Sequence, residues 1–236
     1  MAQVILFSSQ KGGSGKSTST LICAVAASLQ PFNLKVIVLD LDQQNSLYKA
    51  RRYDSKAYSI RKEDAPFEIL DYSINDLQKN IFELDKTHDF IFIDTAGAMD
   101  NTQPIENQTI TKVLQYADFV FIPISAGNFV IDATVEYFRF LKKIQAIRSK
   151  EMRKLKVYGF INLHRARTIK ANQILNNEII ALTKNEGLVM LKNALNDYSL
   201  ISNADTILSI YDQHSSNPAK VNFALFFNEF LNIIRL

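Results

Sequence analysis

Apolar runs of four or five residues alternate along the chain with longer stretches whose apolar positions recur every three or four residues. Val4-Ile5-Leu6-Phe7 is the first such run, and its length and composition predict a strand buried on both faces. In residues 17–29, Leu21, Ile22, Val25, Ala26 and Leu29 fall at helical spacing, and Pro31 lies just past the predicted helix end. The same reading predicts strands at 35–39, 67–70, 90–93, 119–122 and 157–161, with one more near 188–191. Helices are predicted at 74–84, 105–116 and 130–147, with two or three more in the last third. Alternating strands and helices, with no strand-only region, imply an α/β fold: a doubly wound, mainly parallel sheet with helices on both faces. No linker, low-complexity tract or repeat interrupts the pattern, so residues 1–236 are expected to form a single domain.

Sheets of this kind hold ligands beyond the carboxyl ends of their strands. The loop after Phe7, then Asp40 and Asp42, Asp94 and Asn162 are all expected at that edge. The chain has seven glycines, and three of them, Gly12, Gly13 and Gly15, fall within Lys11-Gly-Gly-Ser-Gly-Lys-Ser-Thr18. A strand before and a helix after are the context of a phosphate-binding P-loop. Backbone N–H groups of Gly12, Gly13, Ser14 and Gly15 would cradle phosphates, Lys16 would reach the outer ones, and Ser17 would hold Mg²⁺. The general form of that loop has a glycine where this chain has Gln10. Asp94 ends its strand where a carboxylate helps to hold the Mg²⁺ shell. Asp40 and Asp42, two residues apart at a strand end, are expected to point to the same side.

Composition narrows the setting. Of 236 residues, 47% are hydrophobic and 22% charged, values of a globular chain rather than a disordered one. No run approaches the apolar length of a membrane-spanning helix, and the opening residues do not read as a secretory signal. A lone cysteine, Cys23, excludes an intrachain disulfide and Cys-ligated zinc or iron–sulfur sites within one chain, and the expected compartment is the cytoplasm. Cys23 itself is expected as a small buried hydrophobe.

Taken together, Lys11-Gly-Gly-Ser-Gly-Lys16-Ser17 resembles the deviant Walker A motif of the ParA/MinD ATPases, Asp40-Leu-Asp42-Gln-Gln44 their Walker A′ segment, and Asp94-Thr-Ala-Gly97 their Walker B segment. The resemblance extends through Gly159-Phe-Ile-Asn162, Ala204 and a closing helix, and is strongest to the small plasmid-partition ParA proteins. It implies an Mg-dependent ATPase with ATP and Mg²⁺ as ligands. Lys11 would reach across a homodimer to the partner's ATP, and Lys16 would bind phosphate in its own subunit. Ser17 and Asp94 would serve Mg²⁺, with Asp40 behind them. Asp42 would position the attacking water, Thr18 would support the α-phosphate, and Asn162 would contact adenine. Gln43 stands where the family usually has proline, which is expected to loosen the turn after Asp42.

The net charge is +3, but residues 139–170 alone carry eleven Lys/Arg and one Asp/Glu, while residues 1–138 carry 12 and 17. Such asymmetry is the footprint of a polyanion site. Arg139, Lys142, Lys143, Arg148, Arg153, Lys154, Arg165 and Arg167 are the candidates for contact with DNA, which the resemblance implies is non-specific and ATP-dependent. A ParB-like centromere-binding partner and nucleoid association are implied in the same way. Residues 223–236 form an apolar run whose one basic residue, Arg235, is opposed by Glu229; this predicts a packed core helix rather than a membrane anchor. Two alternatives remain: a MinD-like membrane-associated positioning ATPase, and a ParA-like ATPase that positions a conjugation, secretion or other protein cargo.

Overall fold

The computed structural model describes residues 1–10, 12–97, 104–125, 130–148, 153–164 and 169–235. Lys11, Arg165 and Arg167 lie outside them. Seven strands form one parallel sheet in the order β3-β2-β4-β1-β5-β6-β7, where β1 is Gln3–Phe7, β2 Val36–Asp40, β3 Glu68–Asp71, β4 Phe90–Asp94, β5 Phe119–Ile124, β6 Lys156–Ile161 and β7 Val189–Met190. The parallel α/β expectation is therefore correct, with strand ends shifted by a residue or two. The inner strands are mostly apolar because alternate side chains serve two cores. Ile5 and Phe7 of β1 enter one layer, and Val4 and Leu6 the other.

Helices α1 (Lys16–Ser28), α2 (Ser46–Ala57), α7 (Ser199–Ser202) and α8 (Pro218–Arg235) contribute to the first layer; α3 (Ile74–Thr87), α4 (Pro104–Val113), α5 (Val130–Ile147) and α6 (Ile169–Ala181) contribute to the second. Helix α3 starts on a capping box, in which Ser73 and Asp76 each accept from the other's backbone N–H. The closing helix α8 is longer than the apolar run predicts and buries Phe223, Phe226, Phe227, Phe230, Leu231 and Ile234. Phe230 lies at the centre, with ring centroids 5.7 Å from Phe7, 6.3 Å from Phe92 and 4.9 Å from Phe121. Full burial of each such ring contributes about 1.5–3 kcal/mol. Cys23 is buried in the same layer, where burial pushes its thiol pKa up.

Helix α2 carries no clear apolar stripe, since Leu47 and Arg51 are its buried residues. Tertiary contacts hold it instead. Arg51 donates from Nε to the Thr206 hydroxyl at 3.0 Å, from Nη2 to the Thr206 carbonyl at 2.9 Å, and from Nη1 to the Phe67 carbonyl. Its guanidinium lies 4.4 Å from the Phe67 ring centroid, and burial lowers its pKa to about 10. Asp54 on the same helix accepts from the Thr206 N–H and hydroxyl, both at 2.8 Å. Helix α2 is thereby stapled to the chain leading into α8.

Part of the basic segment has a structural task at the opposite end of the sheet. Arg153 donates to the Ala2 carbonyl at 2.6 Å, to Asp118 at 2.9 Å and to Asp85 at 2.8 Å. Arg148 donates to the Ala117 carbonyl at 2.5 Å. These contacts fasten the amino ends of β1 and β5, remote from the strand ends where the glycine loop lies.

Candidate functional site

Strand β1 stops at Phe7, and the chain turns into the glycine loop at the middle of the sheet's carboxyl edge. Two glycines there have left-handed backbone, Gly13 at φ 71° and Gly15 at φ 87°. Gly15 also needs its missing Cβ: one built there would lie 2.2 Å from the Asn162 side-chain nitrogen. That nitrogen donates to the Ser14 carbonyl at 2.7 Å, while the Asn162 backbone N–H donates to the Ile124 carbonyl at 2.8 Å. Asn162, for which the resemblance implies a contact with adenine, braces the loop from the end of β6. A second brace is the 2.6 Å contact between the Ser9 and Ser14 hydroxyls. The Ser8 hydroxyl meets the Tyr137 hydroxyl of α5 at 2.5 Å.

Helix α1 begins directly on the loop, so its first N–H groups and the positive end of its dipole face the same space. A cleft of about 650 Å³ opens there, lined by Gly12, Gly13, Gly15, Lys16, Ser17, Thr18, Asp42, Gln43, Gln44, Ser46, Thr95, Ala96, Gly97 and Leu163. The structure therefore gathers Lys16, Ser17, Thr18 and Asp42 into one cavity, as expected from their strand-end positions. Lys16 is buried, and that burial lowers its pKa against the attraction of Asp94 and Asp42. A second cleft, of about 480 Å³ beside β3 and lined by Tyr48, Arg52 and Lys62 among others, contains none of these groups.

Asp94 is fully buried, and neither carboxylate oxygen has a hydrogen bond of good geometry within the protein. Burial pushes its pKa up to about 7; the neighbouring Ser17 hydroxyl lowers it, Asp40 and Asp42 raise it, and Lys16 lowers it. Two bare carboxylate oxygens beside a serine hydroxyl are a hard oxygen donor set, which suits Mg²⁺. Asp40 is differently placed. Its Oδ2 accepts from the Leu47 and Tyr48 N–H groups at 3.0 Å each, and its Oδ1 accepts from the Asp42 N–H at 3.3 Å. It caps α2 and fixes the turn that carries Asp42, an action the sequence pattern did not reveal. Burial raises its pKa, and the Tyr48 and Asp42 N–H groups oppose that rise. The turn itself is closed by the Gln44 N–H donating to Asp42 Oδ1 at 2.9 Å and the Asn45 N–H to the Asp42 carbonyl at 2.8 Å.

Among the DNA candidates, Arg139 pairs with Glu186 at 2.5 Å and Lys142 donates to the Glu186 carbonyl at 3.1 Å; both stay exposed, as do Lys143 and Lys154. Among the described residues no three His, Cys, Asp or Glu side chains form a metal-holding group, and no helix is long and apolar enough to cross a membrane.

A sequence profile described as the CobQ/CobB/MinD/ParA nucleotide binding domain matches residues 5–202. No curated protein matches the chain by sequence. Solved structures share its fold over nearly the whole length. A plasmid partition protein from Borrelia burgdorferi bound to AMPPNP is 18% identical with a TM-score of 0.66, covering 98% of this chain and 99% of that one. The Pyrococcus furiosus cell division ATPase MinD is 17% identical with a TM-score of 0.64, covering 99% and 100%. Cobyrinic acid a,c-diamide synthase from Mycobacterium smegmatis, with bound ADP and magnesium, is 15% identical with a TM-score of 0.67, covering 100% and 96%.

Proposed function

Because the chain belongs to the CobQ/CobB/MinD/ParA nucleotide-binding family, we propose that it is a partition ATPase of the ParA kind, which binds Mg-ATP, pairs with a second copy, holds DNA non-specifically and lets go on hydrolysis. The observation that carries the nucleotide part is the buried Asp94 carboxylate, set beside the Ser17 hydroxyl and the loop that presents Lys16. Such a carboxylate is costly to leave bare and favourable beside a cation. Ser17 and Asp94 would hold Mg²⁺, which when bound supplies positive charge against the phosphates. Gly13, Gly15 and the first turn of α1 present N–H groups to the phosphates, and Lys16 adds a cation shielded from water. Asp42, held by its turn and by Asp40, faces the cleft where an attacking water must stand. Lys11 would serve the second copy's nucleotide.

The partition reading is favoured by the basic segment; the fold itself is shared alike with the Borrelia protein, MinD and cobyrinic acid a,c-diamide synthase. Within that segment Arg148 and Arg153 are engaged at the amino edge, so DNA contact is assigned to the exposed Arg139, Lys142, Lys143 and Lys154, together with Arg165 and Arg167, which lie outside the described residues. A ParB-like partner would trigger release. The test is a titration with random-sequence duplex DNA, without nucleotide, with ADP and with ATP, at two salt concentrations. Binding that appears with ATP and weakens steeply with salt supports the reading. Binding that ignores nucleotide, or no binding at all, removes it.

A further inference from the structure

Thr95 is the one buried side chain among the described residues of the cleft whose polar atom has neither a partner nor a task in the reading above. It follows β4 directly, is 4% exposed and lines the cleft beside Lys16, Ser17 and Asp42. Its hydroxyl has no hydrogen-bond partner in the protein. A buried hydroxyl normally has one, so its partner is to be sought among what enters the cleft. Asp40 of β2 is paired in register with Asp94 of β4, and the Leu41 N–H donates to the Asp94 carbonyl at 2.9 Å. The strand ends that carry Asp42 and Thr95 therefore leave the sheet side by side.

Resting on the ATPase reading, we propose that the Thr95 hydroxyl oxygen is the second acceptor that orients the attacking water, Asp42 being the first. A water poised for in-line attack aims a lone pair at the terminal phosphorus and donates both hydrogens sideways. It needs two acceptors. Lys16 only donates, while Ser17 and Asp94 are given to the cation. Of the other side-chain acceptors lining the cleft, Gln43, Gln44 and Ser46 are exposed and Thr18 is given to the α-phosphate, which leaves Asp42 and the buried Thr95. In the step they serve, the water oxygen forms a bond to the terminal phosphorus as the bond from that phosphorus to the bridging oxygen breaks. The bridging oxygen leaves on ADP, and the water's proton ends on inorganic phosphate.

The test uses Thr95→Val, which keeps the shape and removes the acceptor, Thr95→Ala, which repeats the deletion without that bulk, and Thr95→Ser, which keeps the hydroxyl. Three readouts separate the roles: turnover, affinity for a non-hydrolysable ATP analogue, and capture of ADP with aluminium fluoride and Mg²⁺, a complex that mimics the attacked phosphate. Deletion is expected to lower turnover by about tenfold or more, the value of one transition-state hydrogen bond. Analogue affinity should stay within about twofold, because the ground state does not use this bond. Capture should be lost, and Thr95→Ser should restore both turnover and capture. Native turnover in Thr95→Val or Thr95→Ala overturns the proposal. So does a parallel loss of analogue affinity, which would make the hydroxyl a ground-state contact. If the unaltered protein fails to bind the analogue, it is the nucleotide reading that falls, and this inference with it.

Discussion

Replacing Asp94 by asparagine should stabilise the ligand-free protein, and should do so in a pH-dependent way. Asp94 is fully buried beside the Ser17 hydroxyl, and burial raises its pKa from 3.8 to about 7. Between those values the folded chain retains a proton that the unfolded chain has released. Stability therefore falls as pH rises through this window, and the loss is complete above the folded value. The full cost is roughly 4 kcal/mol at 1.36 kcal/mol for each factor of ten. Asparagine never ionises, so Asp94→Asn escapes this loss while keeping the side-chain shape. Urea denaturation at about pH 5 and about pH 8 compares the two proteins. The stability of the variant relative to the native chain should grow by about 2–3 kcal/mol between those conditions. Effects of the amide that do not titrate add a constant and cancel in that difference. With Mg²⁺ and an ATP analogue at 100 times its dissociation constant, the native protein should gain about 2.7 kcal/mol and the variant much less. A relative stability that does not change with pH, or that changes in the opposite sense, refutes the picture of a carboxylate waiting for a cation.

Other parts of the account have their own tests. Gly15→Ala brings a Cβ to 2.2 Å from the Asn162 nitrogen in left-handed backbone; calorimetry should show nucleotide affinity reduced by at least about tenfold, on the order of 1–2 kcal/mol of backbone strain, and Asn162→Ala added to it should recover only part. Phe230→Ala removes the ring shared by Phe7, Phe92 and Phe121 and should cost about 3–5 kcal/mol of stability in a denaturant titration. Arg51→Met strips donors from Phe67 and Thr206 and should cost about 1–3 kcal/mol, with faster proteolytic cleavage between α2 and α8; unchanged stability would mean that the staple is idle.

The inner strands β1, β2, β4 and β5 were legible because they are buried on both faces and so read as apolar runs. Helix α2 was not, because a helix held by Arg51 and Asp54 leaves no periodic signal. The glycine loop announced itself through Gly12, Gly13 and Gly15 beside Lys16. The backbone contacts made by Asp40 and Asn162 could not be read in advance. Both are polar residues at strand ends, and whether such a side chain turns into the cleft or onto a neighbouring backbone depends on packing between elements far apart in sequence. Asp40 turns onto α2 and Asn162 onto the loop. Charge counting likewise found the basic segment but could not divide it. Arg148 and Arg153 fasten the amino edge, whereas Lys143 and Lys154 are exposed. Thr95 offered no signal at all beyond following Asp94, since an unpaired hydroxyl is visible only once its surroundings are known.

The central claim is that the loop around Lys16 holds the phosphates of a nucleotide. Titration of a fluorescent, non-hydrolysable ATP analogue with Mg²⁺ into the native chain and into Lys16→Ala tests it most directly. The account predicts saturable binding by the native chain that depends on Mg²⁺, and no saturable binding by the variant, because Lys16 is the buried cation of the cleft. A Lys16→Ala protein that binds the analogue as tightly as the native chain would contradict it.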